Sequence, residues 1–97
     1  MNSAFNTNPE IQEEILEDIS LKDLLENTLV VHNDDVNTFD WVIKSLIDIC
    51  GHSQYQAEQL TVLVHYKGKA KVKNGPYSKL RALCNKFIER GINATVD

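Results

Sequence analysis

The residues best suited to chemistry form a short polar cluster, His32-Asn33-Asp34-Asp35, which directly follows the apolar run Leu29-Val30-Val31. Such a run is typical of a buried strand, so the cluster lies where that strand ends in a loop. Amide and carboxylate oxygens that converge at a strand end can bind a cation or an amine. The same residue types also form solvated Asx turns, and from the residues alone both interpretations stay open.

His65 is the second candidate, near the end of a predicted helix, where the helix dipole alone would favour an imidazole. A metal site is the obvious rival, since the chain has three histidines and two cysteines. Cys50 and His52, however, have no partner pair at zinc spacing, and the acidic ladder of a calcium loop is missing. A Gly-x-Ser-x-Gly elbow and a phosphate-binding glycine loop are missing too. We therefore expect no metal, no other cofactor and no enzymatic activity.

The segment Lys69-Ala70-Lys71-Val72-Lys73 alternates strictly, which predicts a half-buried strand with one face of lysines. Together with Lys67 these lysines could hold phosphate. No aromatic residues are interleaved and the chain carries a net charge of -4, so a solvated face that discourages edge pairing is favoured. We expect no binding of nucleic acid.

Length and composition predict a single small domain, because 97 residues with 42% hydrophobic side chains can bury one modest core. The sequence has neither an apolar run long enough to cross a bilayer nor the pattern of a signal peptide. We therefore expect a cytoplasmic protein that does not contact membranes. Cys50 and Cys84 form no close pair, which predicts two buried free thiols.

Charge divides the chain near Thr28. Residues 1–27 carry seven acidic side chains against one lysine, whereas residues 28–97 carry nine Lys and Arg against seven acids. This break predicts a mobile acidic extension over 1–27 and a folded domain over 28–97. The extension has a narrow apolar stripe at helical spacing, too short for a stable isolated helix, at Ile11, Ile15 and Ile19.

Apolar spacing and turn residues predict six elements that would position these groups. In chain order they are a strand at 29–31, helices over 39–50 and 53–66, a strand over 69–73, a helix over 80–88 and a strand over 92–96. Asn74-Gly75-Pro76 is predicted to be a turn. The order predicts an α+β fold, a β-α-α-β-α-β domain whose three-stranded sheet is covered by helices on one face.

Four segments resemble the signature blocks of the ClpS adaptor family, in the family's order and spacing. They are Leu29-Val30-Val31-His32-Asn33-Asp34-Asp35, Thr38-Phe39-Asp40-Trp41-Val42-Ile43, Gln56-Ala57-Glu58-Gln59 and Val64-His65-Tyr66-Lys67-Gly68-Lys69. The resemblance spans roughly residues 29–96. It implies a monomeric adaptor that binds bulky N-terminal residues (Phe, Tyr, Trp and Leu) and delivers their bearers to a Clp-type AAA+ unfoldase, ClpA-like or ClpC-like, and its ClpP peptidase.

The resemblance also implies functional residues. In the family three polar side chains hold the α-amino group, and the matching positions are Asn33, Asp34 and His65. The walls of the family's hydrophobic pocket correspond to Phe39, Val42, Thr61, Val64 and Ile92. The N-terminal extension corresponds to the part that the unfoldase engages during delivery.

The sequence departs from the family pattern at the pocket. Asn37-Thr38-Phe39 stands where Thr-Pro-Met is common, which places a rigid aromatic ring at the pocket mouth, and Thr61 stands where methionine is common. The segment over 70–78 is shorter than in many relatives. Two other functions remain open: a protein-interaction module that does not recognise N-terminal residues, and a regulator that occupies the unfoldase without delivering cargo.

Overall fold

The computed structural model describes residues 25–97, and these form three helices and a three-stranded antiparallel sheet, as predicted. The elements in chain order are β1 (Glu26–His32), α1 (Phe39–Cys50), α2 (Gln54–Lys67), β2 (Lys69–Pro76), α3 (Tyr77–Glu89) and β3 (Ala94–Val96). The central strand is β1, with β2 on one side and β3 on the other. The stripe predicted at Ile11, Ile15 and Ile19 lies outside the described residues.

Local sequence signals set the ends of α1 and α2. The Thr38 hydroxyl accepts a hydrogen bond from the backbone N–H of Trp41, and α1 ends at a glycine in the left-handed conformation. Ser53 and Gln56 form a reciprocal capping box at the start of α2. The helix over Phe39–Cys50 has the bounds predicted from the apolar spacing.

The predicted turn at Asn74-Gly75-Pro76 is wrong, because these residues continue β2. They lie opposite the first residues of β1, and Glu26 pairs with Pro76 at the far end of the ladder. The folded part of the chain thus begins at least two residues before the predicted boundary at Thr28. Pairing with a long neighbouring strand outweighs the local turn preference of these residues.

The alternation predicted over 69–73 is confirmed, since its lysines are exposed and Ala70 and Val72 are buried. A bulge interrupts the pairing of β2 with β1: Leu29 lies opposite Lys73 and Val30 lies opposite Lys71, so the register shifts between the two pairs. Burial raises the pKa of the Cys50 thiol to about 11, and the charge of Lys73 opposes that rise.

One apolar core joins the sheet to the three helices. Its fully buried large side chains are Leu29, Val31, Leu46, Leu80, Phe87 and Ile92. Cys84 is buried, Cys50 is half-buried and both are free thiols, close to the prediction. None of the helices in residues 25–97 combines the length and the apolar character needed to cross a membrane.

The corner after α3 ties α1 to the rest of the domain. Trp41 Nε1 donates to the Arg90 carbonyl at 3.0 Å, and the Arg90 guanidinium lies 5.2 Å from the centroid of the Trp41 rings. The same guanidinium donates to Ser45 Oγ and contacts Asp48 Oδ2, both at 3.2 Å. The position of the next residue, Gly91, is thereby fixed relative to α1.

Candidate functional site

A small cleft opens where the loop after β1, the start of α1 and the last turns of α2 meet. Its polar lining residues are Asn33, Asn37, Thr38 and His65. Its other lining residues are Phe39, Val42, Thr61 and Val64. Six of the eight residues predicted to bind a ligand thus meet in one place, from segments far apart in the sequence.

A single backbone contact explains how Asn33 and His65 come together. The Asn33 N–H donates to the carbonyl of Gly68 at 2.8 Å, so the chain leaving β1 is fastened to the end of α2. Gly68 lies three residues after His65 and ends the helix with a φ of 88°, a conformation that glycine adopts without strain. Both side chains are exposed and line the same cleft.

Asp34 does not line the cleft but organises the loop beside it. Its Oδ1 accepts the backbone N–H groups of Val36 and Asn37, each at 2.9 Å, and its Oδ2 accepts Asn37 Nδ2 at 2.7 Å. These hydrogen bonds, the backbone bond from Asn37 foremost, lower the pKa of the Asp34 carboxyl below its usual value. The carboxylate is therefore both a turn-forming group and a fixed negative charge next to the cleft.

The sequence analysis gave Asn37 no ligand-binding role, yet it lines the cleft. Its Nδ2 donates to Asp34 Oδ2 and also to the Gly91 carbonyl at 2.9 Å. The side chain therefore fastens the loop to the corner after α3. The available signal was the departure of Asn37 from the family pattern, but the contact with Gly91 spans 54 positions and has no local signature.

The apolar wall is formed by buried side chains of α1 and α2. Val42, Thr61 and Val64 are 7%, 2% and 3% exposed, so they belong to the core and line the cleft at once. Thr61 Oγ1 donates to the Ala57 carbonyl at 2.7 Å, which occupies its hydroxyl hydrogen within its own helix. Apolar surface on rigid helices favours an apolar ligand group in this wall.

Phe39 forms the exposed side of the cleft. Its ring is 41% exposed and meets His65 edge to face at 5.0 Å, and His65 in turn meets Tyr66 at 5.3 Å. In this arrangement the cleft has a volume of about 20 Å³. That is room for about one water molecule and far too little for a phenyl or isobutyl group.

Ile92, also predicted as a pocket wall, does not line the cleft. Its side chain is 1% exposed within the core, and its backbone N–H donates to the Phe87 carbonyl at 2.9 Å. This hydrogen bond closes the end of α3, so β3 begins at Ala94 and not at residue 92 as predicted. The pocket role that the resemblance implies for Ile92 stays a prediction.

Metal ligands do not cluster in the described part of the chain: residues 25–97 contain no group of three His, Cys, Asp or Glu side chains placed to hold an ion. The polar side chains at the cleft are two amides, two hydroxyls and an imidazole. These groups suit hydrogen bonding to a ligand.

Comparisons with known proteins identify the family of this chain. The family model described as "ATP-dependent Clp protease adaptor protein ClpS" matches residues 25–94. The ATP-dependent Clp protease adapter protein ClpS of Corynebacterium aurimucosum is 31% identical over 96 residues, which cover 99% of this chain and 86% of that protein. Its counterpart in Corynebacterium diphtheriae is 30% identical over 94 residues, which cover 97% of this chain and 83% of that protein.

A solved structure shares the fold. ClpS2 of Agrobacterium tumefaciens, determined bound to L-phenylalaninamide, superposes with a TM-score of 0.72 at 15% identity and covers 74% of this chain and 94% of its own. The sequence match to nearly all of residues 25–97 and this common architecture lead to the same assignment: the chain belongs to the ClpS family of ATP-dependent Clp protease adaptor proteins.

Proposed function

We propose that this protein binds the free α-amino group and the bulky side chain of an N-terminal Phe, Tyr, Trp or Leu at the cleft. It then delivers the bearer of that residue to a ClpA-like or ClpC-like AAA+ unfoldase and its ClpP peptidase. The observation that carries the proposal is the composition of the cleft. Amide and imidazole groups of Asn33, Asn37 and His65 stand beside a buried apolar wall that includes Val42 and Val64.

An N-terminal residue is the ligand that matches both halves of such a cleft. Its protonated amine has three N–H donors and a positive charge, so selective binding requires several acceptors and a nearby anion. The Asn33 amide oxygen and an unprotonated His65 nitrogen supply acceptors, and Asp34 supplies the charge. An internal residue of a protein has no ammonium group, so the polar half discriminates against it.

The apolar half selects by size. Burying a Leu or Phe side chain contributes roughly 1.5 to 3 kcal/mol relative to leaving it exposed. The ligand bound to Agrobacterium ClpS2, L-phenylalaninamide, combines a free amine with such a side chain, which supports the same ligand class here. Because the cleft holds only about 20 Å³ with Phe39 in place, ligand entry requires the exposed Phe39 ring to swing outward.

Peptides that differ only in their first residue test the proposal. A decapeptide that begins with Phe is expected to bind at least about tenfold more tightly than its Ala-starting twin, because only the former fills the apolar wall. Isothermal titration calorimetry with both peptides measures the ratio. Equal affinities, or no binding of either peptide, would leave a module that does not recognise N-terminal residues as the better account.

The Phe39 ring predicts a second, smaller effect. A rigid ring at the mouth should exclude Ile and Val, because branching at Cβ stiffens χ1 and keeps these side chains from bending past it. Phe39→Ala is therefore expected to lower the Leu-to-Ile affinity ratio of N-terminal peptides about fivefold, or roughly 1 kcal/mol.

Tyr66→Ala is the matched control for the gate. The substitution removes the ring on the other side of His65. Tyr66 is 79% exposed in the wild type and does not line the cleft. The control should keep the wild-type Leu-to-Ile ratio. A Phe39→Ala variant with that same ratio would show that the ring does not act as a gate.

A further inference from the structure

We infer that Asn37 is a further ligand-binding residue of the cleft, whose Oδ1 accepts one N–H of the α-ammonium group while Asp34 acts mainly by holding and polarising that amide. The inference rests on the proposed function and concerns how it is carried out in this chain. It follows from the arrangement of the Asn37 side chain between Asp34, Gly91 and the cleft.

Both acceptors of the Asn37 amide hydrogens lie away from the cleft lining. Nδ2 donates to Asp34 Oδ2 at 2.7 Å and to the Gly91 carbonyl at 2.9 Å, and neither Asp34 nor Gly91 lines the cleft. A flipped amide would place Oδ1 against these two acceptors, so the orientation of the amide is fixed by its partners. Oδ1 is then the polar atom through which Asn37 can meet a ligand.

The number of acceptors at the cleft supports this role. An ammonium group has three N–H donors, and Asn33 and His65 account for two. Of the three remaining polar lining residues, Thr38 already uses its hydroxyl oxygen to accept the Trp41 N–H at the start of α1. The Thr61 hydroxyl donates to the Ala57 carbonyl and belongs to a residue that is only 2% exposed. Asn37 is therefore the best placed third acceptor.

Asp34 reaches the ligand through this amide. A carboxylate that accepts a hydrogen bond from an amide N–H polarises the amide and increases the electron density on its oxygen. The 2.7 Å contact has the length of a charge-assisted hydrogen bond. The attraction between Asp34 and the ammonium group is thus transmitted by a positioned, neutral acceptor, without a direct contact to the carboxylate.

Two probes test the inference: a Phe-starting decapeptide and its desamino twin, in which 3-phenylpropanoyl replaces the first residue and the amine is missing. Asn37→Ala is expected to lower the affinity for the amine-bearing peptide about tenfold or more, as for a hydrogen bond to a charged group. Its affinity for the desamino twin should stay within about twofold of wild type. Asn85→Ala, an exposed asparagine of α3, is the matched control and should bind both probes as wild type does.

A measurement on the unmodified protein covers the case in which Asn37→Ala fails to fold. The side-chain NH₂ resonances of Asn37 should shift on saturation with the amine-bearing peptide and stay in place with the desamino twin. Equal losses for both probes in Asn37→Ala, or unmoved resonances, would overturn the inference. Failure of the wild-type protein to distinguish the two probes would instead overturn the proposed function, so the two failures are separable.

Discussion

N-acetylation of a Phe-starting peptide is expected to lower its affinity for this protein by about a hundredfold or more. Acetylation replaces the charged amine by a neutral amide with one N–H, so at least two charge-assisted hydrogen bonds are lost. Each is worth about 1.5 to 3 kcal/mol, and every 1.4 kcal/mol is a tenfold change in affinity. Fluorescence anisotropy with the free and the acetylated peptide measures the ratio.

Asp34→Ala separates the contribution of charge from that of the apolar wall. The variant loses the negative charge beside the cleft and the three hydrogen bonds that shape the loop. It should therefore bind the free peptide much more weakly while its affinity for the acetylated twin changes little. Similar affinities of wild type and variant for the free peptide would show that the amine lies elsewhere.

Asp34 and the peptide amine each give binding a pH limit of known sign. Hydrogen bonds to the loop lower the pKa of Asp34 in the folded protein, so its contribution is complete above the ordinary aspartate pKa of about 3.9. That contribution is lost only as the pH falls through the lower folded value. At the other limit the peptide amine loses its proton above about pH 8, and affinity should fall there. Acetylated peptide should show no such alkaline loss.

Elements with local signals were predictable from the sequence, whereas those set by distant pairing were not. The bounds of α1 follow from Thr38, which caps it, and Gly51, which ends it at a φ of 75°. Asn74-Gly75-Pro76 has the composition of a turn but continues β2, because the start of β1 lies opposite. A strand partner about fifty positions away leaves no trace in the local composition.

The candidate site also combines residues that the sequence located with residues whose positions depend on distant contacts. The resemblance located Asn33 and His65, and the structure brings them together through the bond from the Asn33 N–H to Gly68. Ile92 is buried in the core and does not line the cleft, because its position depends on how α3 ends and not on its own apolar character. Asn37 was missed because its two partners become visible only when the loop and the corner after α3 are folded against each other.

Deleting residues 2–20 is expected to leave the affinity for a Phe-starting peptide unchanged and to abolish delivery of cargo that bears the same N-terminus. The cleft lies entirely within residues 33–65, and β1 begins only at Glu26. The deleted segment carries most of the acidic side chains of residues 1–27 and the spacing of Ile11, Ile15 and Ile19. That composition suits contact with a partner better than a place in a core. We therefore predict that the segment contacts the unfoldase.

A full-length variant identifies which property of the segment matters. Ile11→Ala, Ile15→Ala and Ile19→Ala together keep the length and every charge, so a loss of delivery in this triple variant assigns the contact to the apolar stripe. Delivery is measured as degradation of a Phe-starting reporter by purified unfoldase and ClpP, and peptide affinity by calorimetry on the same preparations.

Peptide affinity and cargo delivery have opposite expected outcomes, because the cleft lies within residues 33–65 and the deleted segment does not. Peptide affinity should not depend on the deleted segment. If the truncated protein binds the peptide more than about tenfold worse, a change of roughly 1.4 kcal/mol, the segment contributes to the cleft or the core. If truncated and full-length proteins deliver cargo equally well, the unfoldase must recognise a surface within residues 21–97.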